Sequence, residues 1–194
     1  LVASRAQRMQ EACLAHPGSM AAVLGLQAEE IHATLTSAAL EGKVVLANHN
    51  APLQSVIAGS SEEVRMAVEA LKSAGARRVV PLAVSGAFHS HFMAEAAAGL
   101  RSDFAHLSLS ESNLGTLYSN VFAAPLIPSL RAQPDPSFAS YLELHMTQPV
   151  RWVEEVTALQ AAGVDTYVEC GPGKVLAGLV GKILPGTGVT QAVE

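Results

Sequence analysis

The sequence is short of charge and has no block of either sign. Asp and Glu number 17 against 12 Lys and Arg, a net of −5, and charged residues make up 15% of the 194. A mildly acidic chain without a basic stripe lacks the electrostatic footprint of a nucleic-acid binder. No apolar run approaches the roughly 20 residues that span a bilayer, so no membrane span is expected. The two cysteines, Cys13 and Cys170, are far apart and form neither a CxxC nor a metal-ligand pattern. That argues against a disulfide framework and a zinc site, and fits a reducing compartment. No GxSxG occurs, and Ser19, Ser60 and Ser85, though near glycine, sit in no nucleophile elbow. Internal repeats and low-complexity tails are absent as well.

What is present is apolar. Hydrophobic residues are 49% of the chain, enough for one large domain or one core with a smaller insertion. There is no initiator Met and no signal peptide. Leu1, Val2, Arg5, Met9, Ala12 and Cys13 recur at helical spacing with no capping residue before them. Residue 1 is therefore expected to be an interior point of a longer protein.

Residues 17–82 carry a self-contained pattern. Strands are expected over 19–25, 43–48, 54–58 and 77–82, with Pro81 marking an edge or a strand end. Helices are expected over 27–40, ended near Gly42, and over 62–74, stopped by Gly75. His49-Asn-Ala-Pro52 reads as a turn. Ser61 with Val64 makes half a capping box, and Glu62 and Glu63 suit the positive end of that helix. The order β-α-β-β-α-β is that of a ferredoxin-like subdomain. The remainder, 1–16 with 83–194, reads as α/β: a loop over 85–90, helices over 91–105, 137–146 and 149–162, strands over 116–120 and 165–170, and a final helix to 183. Pro149 suits a helix start. Residues 123–136 hold four prolines and are expected to be loop, and 186–194 a soft end.

Four places could carry chemistry. Ser85-Gly-Ala-Phe-His-Ser-His91 lies between a strand and a helix, where function concentrates. A neutral imidazole at His89 can take a proton from a hydroxyl nucleophile and return it to a leaving group near pH 7; a loop histidine taken alone is more often structural. Arg5 lies on a helix that otherwise looks buried, and a buried guanidinium needs a partner, either an internal carboxylate or one on a substrate. Gly171-Pro-Gly-Lys174 has the position of a phosphate loop but not the GxxxxGK[ST] spacing, and reads as a tight turn. Asn48 and Asn50 could bind a ligand, but suit a turn closed by Asx hydrogen bonds better. If His89 is a base, its nucleophile is missing from the chain.

Together the segments LVASRAQRMQEA, GSMAAVLGL, NHNAP with SVIAG, AGARRVVPLAVSGAFHSHFM, TQPVRWVEEV and VECGPGKVLAGL resemble the malonyl-CoA:acyl carrier protein transacylases of fatty-acid synthesis, from Leu1 to about Ile183. The resemblance implies a hydrolase-like three-layer α/β domain with an inserted ferredoxin-like subdomain, and a GHSxG elbow just before residue 1. It implies ping-pong transfer of malonyl from malonyl-CoA through serine to the phosphopantetheine thiol of acyl carrier protein. No cofactor beyond these substrates is implied. By motif position His89 would be the base and Arg5 the partner of the malonyl carboxylate. Phe88 would disfavour methylmalonyl by bulk. The main-chain carbonyl of His145, where relatives often have glutamine, would orient His89. Asn48 and Asn50 would face CoA or pantetheine, and Arg77 and Arg78 would dock the acidic carrier protein. The fragment alone is expected to be inactive and a monomer. The cytoplasm of a bacterium, a plastid and a mitochondrion all remain open. An acyltransferase domain of a polyketide synthase, a serine hydrolase or thioesterase, and a non-enzymatic binding module are the competing readings. GPGKVL stands where polyketide domains more often read GPHPVL, and a binding module leaves GAFHSH and PVRW unexplained.

Overall fold

The computed structural model describes residues 1–105, 114–186 and 189–193. Its architecture is mixed α/β with an antiparallel sheet. After α1 (Val2–Ala15) come β1 (Gly18–Leu24), α2 (Ala28–Ser37), β2 (Val44–Ala51), β3 (Gln54–Ser60), α3 (Ser61–Ser73) and β4 (Arg78–Pro81). The four strands form one sheet in the order β2-β3-β1-β4, every pair antiparallel. Pro81 falls at the end of an edge strand, as expected.

The period-2 alternation of strands gives this sheet two apolar faces. Ala21, Val23 and Ile57 point to one face and meet Ile31 and Leu35 of α2 and Val64, Ala67 and Leu71 of α3, spaced three and four residues apart on one stripe of each helix. Met20, Val56 and Ala58 point to the other face, where Ala87 completes a second cluster with Phe88 and Phe92 packed against it. The segment around His89 is thus laid on the back of the small sheet.

Three local expectations are corrected here. β2 does not turn at His49 but runs on to Ala51. Its outer side is occupied: Val150 N–H donates to Ala47 O and His49 N–H donates to Val150 O, both at 2.9 Å. This second pairing holds Asn48 and His49 extended despite their weak strand preference. The cap of α3 is Ser60, one residue earlier than Ser61; its hydroxyl accepts from Glu63 N–H at 3.2 Å and donates to the Glu63 carboxylate at 2.8 Å. α1 is not a buried helix: only Ala12 and Cys13 are buried, while Val2 and Leu14 are 80% and 76% exposed.

A short 3-10 turn (His91–Met93) then leads into α4 (Ala94–Asp103). Residues 118–119 and 124–125 form a short ladder, β5 (Tyr118–Ser119) with β6 (Ala124–Pro125), followed by α5 (Leu126–Arg131). The proline-rich 123–136 is therefore not all loop. Pro128 sits in the first turn of α5, where an N–H would have no intrahelical acceptor, so the ring is tolerated. α6 (Phe138–Thr147) and α7 (Trp152–Ala161) follow, and Pro149 lies between them rather than at the start of α7. α1, the 3-10 turn, α4 and α6 pack together through Ala12, Cys13, Met93, Leu100, Leu142 and Met146. β7 (Thr166–Cys170), α8 (Val175–Ile183) and β8 (Val189–Val193) make a parallel β-α-β unit. The chain expected to soften from 186 onward pairs in register with β7 over 189–193; residues 187, 188 and 194 lie outside the described residues.

Candidate active site

The loop that carries His89 is fixed by small residues and one hydroxyl. A Cβ at Gly86 would meet Cys13 Sγ of α1, and a Cβ at Gly18 would lie 2.7 Å from Ala87 Cβ, so the loop rests on backbone where no side chain fits. Ser90 is buried; its hydroxyl donates to Ala87 O at 2.5 Å and accepts from Phe92 N–H at 3.2 Å. Between these anchors His89 is held at φ 56°, a left-handed conformation that a non-glycine residue adopts only under constraint.

His89 Nδ1 lies 3.2 Å from the main-chain oxygen of Gln148. A carbonyl only accepts, so Nδ1 carries the hydrogen and Nε2 is left bare as an acceptor. The expectation named the His145 carbonyl for this task. The structure puts Gln148 O in hydrogen-bond geometry, and the His145 main chain adds a second, smaller contribution favouring the protonated ring. The sequence explains why these groups are available. Four residues after His145 stands Pro149, which has no N–H to return to the His145 carbonyl, and Gln148 is the C-cap of α6.

Burial pushes the His89 pKa below the ordinary imidazole value, and the neighbouring His145 and Arg5 push it further; the two main-chain contacts oppose this only in part. His145 is lowered by burial and by Arg5. Both rings are therefore neutral near pH 7. Among the described residues no carboxylate pairs with His89.

Arg5 is half-buried on α1 and forms no ion pair with a carboxylate among the described residues. One turn on, Arg8 shows the opposite state. Its guanidinium grips Asp103 with two hydrogen bonds of 2.7 and 2.6 Å, and this fork, with the Ser4 hydroxyl, holds the Asp103 carboxyl down to about 2. Gly99 lies under the Arg8 guanidinium, leaving space that a Cβ would fill.

A cavity of about 550 Å³ opens between the small sheet and this loop, lined by His32 of α2, Val45 and His49 of β2, His89, Gln148 and Glu154, among others. Asn48 and Asn50 do not line it; His49 does, with Nδ1 3.3 Å from the Glu154 carboxylate of α7. Phe88 does not line it either. Its ring is half-buried between the cluster behind the sheet and that of α1, α4 and α6. Arg77 and Arg78 are exposed at the start of β4, away from the cavity lining. At Gly171-Pro-Gly-Lys174 the tight turn is what forms, and the start of α8 is filled from within: the Glu169 carboxylate accepts from Leu176 and Ala177 N–H at 3.1 and 2.8 Å. The sequence had not singled out Ser90, Gln148, His49 or Glu154. Only Ser90 carries a usable signal, a hydroxyl at the N-cap position directly before the His91–Met93 turn.

The family described as acyl transferase domain matches residues 1–185. The chain belongs to that family. As an acyl transferase domain it is 38% identical over 183 residues to the malonyl CoA-acyl carrier protein transacylase of Bacillus subtilis, covering 94% of this chain and 56% of that protein. The structure of MCAT from Streptococcus pneumoniae is similar with a TM-score of 0.82 at 36% identity, over 100% of this chain and 60% of that one. A malonyl-transacylase solved in complex with its type II PKS acyl-carrier protein is similar with a TM-score of 0.80 at 32% identity, over 97% of this chain and 59% of that one. The acyl transferase domain thus spans a little over half the length of these relatives.

Proposed function

We propose that this acyl transferase domain is part of an enzyme that moves malonyl from malonyl-CoA to the phosphopantetheine thiol of acyl carrier protein. One observation carries the reading: a histidine has its Nδ1 held by a main-chain carbonyl, which leaves Nε2 as the acceptor, and the same site region holds a half-buried Arg5 that forms no ion pair with a carboxylate among the described residues. The first half is a general base, the second a socket for an acid-bearing acyl group.

In this reading a serine from outside these 194 residues attacks the thioester carbon while its hydroxyl proton passes to His89 Nε2. The C–S bond breaks, and the departing CoA sulfur takes that proton from the imidazolium. The malonyl-serine ester is then attacked by the carrier-protein thiol, whose proton goes to Nε2 and on to the serine oxygen. Arg5 pairs with the malonyl carboxylate throughout. Acetyl would leave that guanidinium unpaired, which disfavours it by an unsatisfied charge. Residues 1–16 and 83–194 are assigned to a hydrolase-like α/β domain and 17–82 to a ferredoxin-like subdomain, supported by the β-α-β-β-α-β order and the strand order β2-β3-β1-β4. Arg77 and Arg78, exposed on that subdomain, suit an acidic carrier protein. Asn48 and Asn50 remain assigned to CoA or pantetheine, and Phe88 to acyl-size selection through the packing of the loop.

The test is Arg5→Ala in the full-length protein. Malonyl transfer should fall by about 10²-fold or more, the scale of one lost charge-assisted pair, while acetyl transfer changes little. Unchanged malonyl transfer would overturn the role given to Arg5, and release of malonate to water without transfer to the carrier protein would favour a hydrolase.

A further inference from the structure

Residues 148–151 form a short strap between α6 and α7, and the mechanism above uses only one of its atoms, the Gln148 carbonyl oxygen. Gln148 N–H donates to Leu144 O at 2.8 Å, which ties the start of the strap to α6. Val150 exchanges two hydrogen bonds of 2.9 Å with β2, donating to Ala47 O and accepting from His49 N–H. Arg151 N–H donates to Asn120 O at 3.0 Å. The ring of Pro149 locks its φ, so the Gln148 carbonyl follows Val150. The loop that bears His89 is seated on the same strands, because Ala87 is buried in one cluster with Met20, Ala47 and Ala58. Both sides of the 3.2 Å contact between His89 Nδ1 and Gln148 O therefore rest on one base, the small sheet.

His49 adds a side-chain tie to the main-chain one. Its imidazole is mostly buried, and Nδ1 stands 3.3 Å from Glu154 Oε2 in the first turn of α7. That oxygen is itself buried and accepts no hydrogen bond from the described residues, so His49 is the group set to offset its desolvation. The other carboxylate oxygen lies 3.9 Å from Arg151 Nε. One residue of β2 thus holds the strap by its backbone and the helix beyond the strap by its ring.

We infer that His49 and Glu154 are positioning residues for the base: their contact spans the strap and keeps Gln148 O on His89 Nδ1. This rests on the role given to His89 in the malonyl reading and deepens it. A contact of 3.2 Å is already long for N–H···O, so a slip of about 1 Å loses it. The released ring gains access to the tautomer with hydrogen on Nε2, the atom that must accept the serine proton. A donor then stands where the reaction needs an acceptor.

The test is His49→Leu in the full-length protein, which removes the ring and keeps the main-chain bonds of β2. With malonyl-CoA as substrate, kcat should fall by about 5- to 10-fold while KM moves by less than about twofold. Ring-nitrogen NMR of His89 should show hydrogen moving from Nδ1 to Nε2, which a loss of stability alone does not produce. His49→Gln keeps a donor for Glu154 and should recover both readouts. Glu154→Leu, at a half-exposed helix position, removes the same contact and serves equally if His49→Leu does not fold. Unmoved kcat and ring spectra overturn the inference, whatever happens to the thermal midpoint. A rise in KM alone overturns it too, and makes His49 a ligand contact. The ring spectra need no substrate. If the wild type transfers no malonyl while its His89 tautomer still depends on His49, the malonyl reading fails and the positioning stands.

Discussion

The small sheet over residues 18–81 and the segment over 82–93 with the ends of α1 and α6 are built on opposite terms. The sheet unit packs from local patterns: its strands alternate, its helices carry single apolar stripes, and Ile31, Ile57 and Leu71 are fully enclosed, although the buried Ser55 hydroxyl of β3 has no hydrogen-bond partner among the described residues. The segment beside it holds a left-handed histidine, an arginine that pairs with no carboxylate among the described residues, and two imidazoles whose pKa is lowered by burial. Stability is concentrated in one and unsatisfied chemistry in the other. The second is tolerable because it is laid directly on the first, with Ala87 buried against the back of the sheet.

The sharpest way to break this contrast is His89→Ala. It should reduce malonyl transfer by about 10³-fold or more in the full-length enzyme, yet leave the thermal midpoint within a degree or two. A loss of midpoint comparable to a core deletion would show that the loop is structural. Leu71→Ala should do the reverse, lowering unfolding free energy in a urea titration by about 2–5 kcal/mol while surviving native enzyme keeps its kcat.

Glu155→Gln probes a third kind of residue. Glu155 is buried, one carboxylate oxygen has no hydrogen-bond partner, and desolvation pushes its pKa up to about 7. Because the folded value lies above the unfolded one, the stabilising contribution is whole below about pH 4.5 and is lost as pH rises through about 7. The amide should therefore raise stability at pH 8 by on the order of 1–2 kcal/mol, and much less at pH 4; a flat difference between the two would contradict it. The smallest effect is expected at Val175→Ala on α8. This side chain is 71% exposed, so denaturant midpoints of the chain should move by less than about 0.5 kcal/mol.

Legibility in the sequence followed the same division. The sheet unit could be read almost element by element because its information is local: alternation, stripes, Gly75, Pro81. The cap of α3 is displaced by one residue for a local reason, the Ser60–Glu63 pair, whereas the turn expected at His49 is overridden from outside the unit. His49 stays in a strand because Val150, a hundred residues on, bonds its backbone. Outside the unit, the four prolines of 123–136 point to loop, yet Pro128 is harmless in the first turn of α5, where its N–H would be unneeded. At the site, His89 and Arg5 were found through motif resemblance, since a loop histidine alone says little. The Gln148 carbonyl was out of reach because any residue type offers one, and its selection depends on where α6 ends. His49 and Glu154 meet only through tertiary packing.

The pairing of Val150 with β2 has a consequence for how these molecules behave in a crowded solution. An open sheet edge offers unpaired amides to any passing strand and so invites edge-to-edge association. One margin of this four-stranded sheet is β2, whose middle is already engaged by Val150. The other is β4, four residues long, opened by Arg78 and closed by Pro81. A charge, a proline and a borrowed dipeptide thus leave neither margin a good template for a second copy.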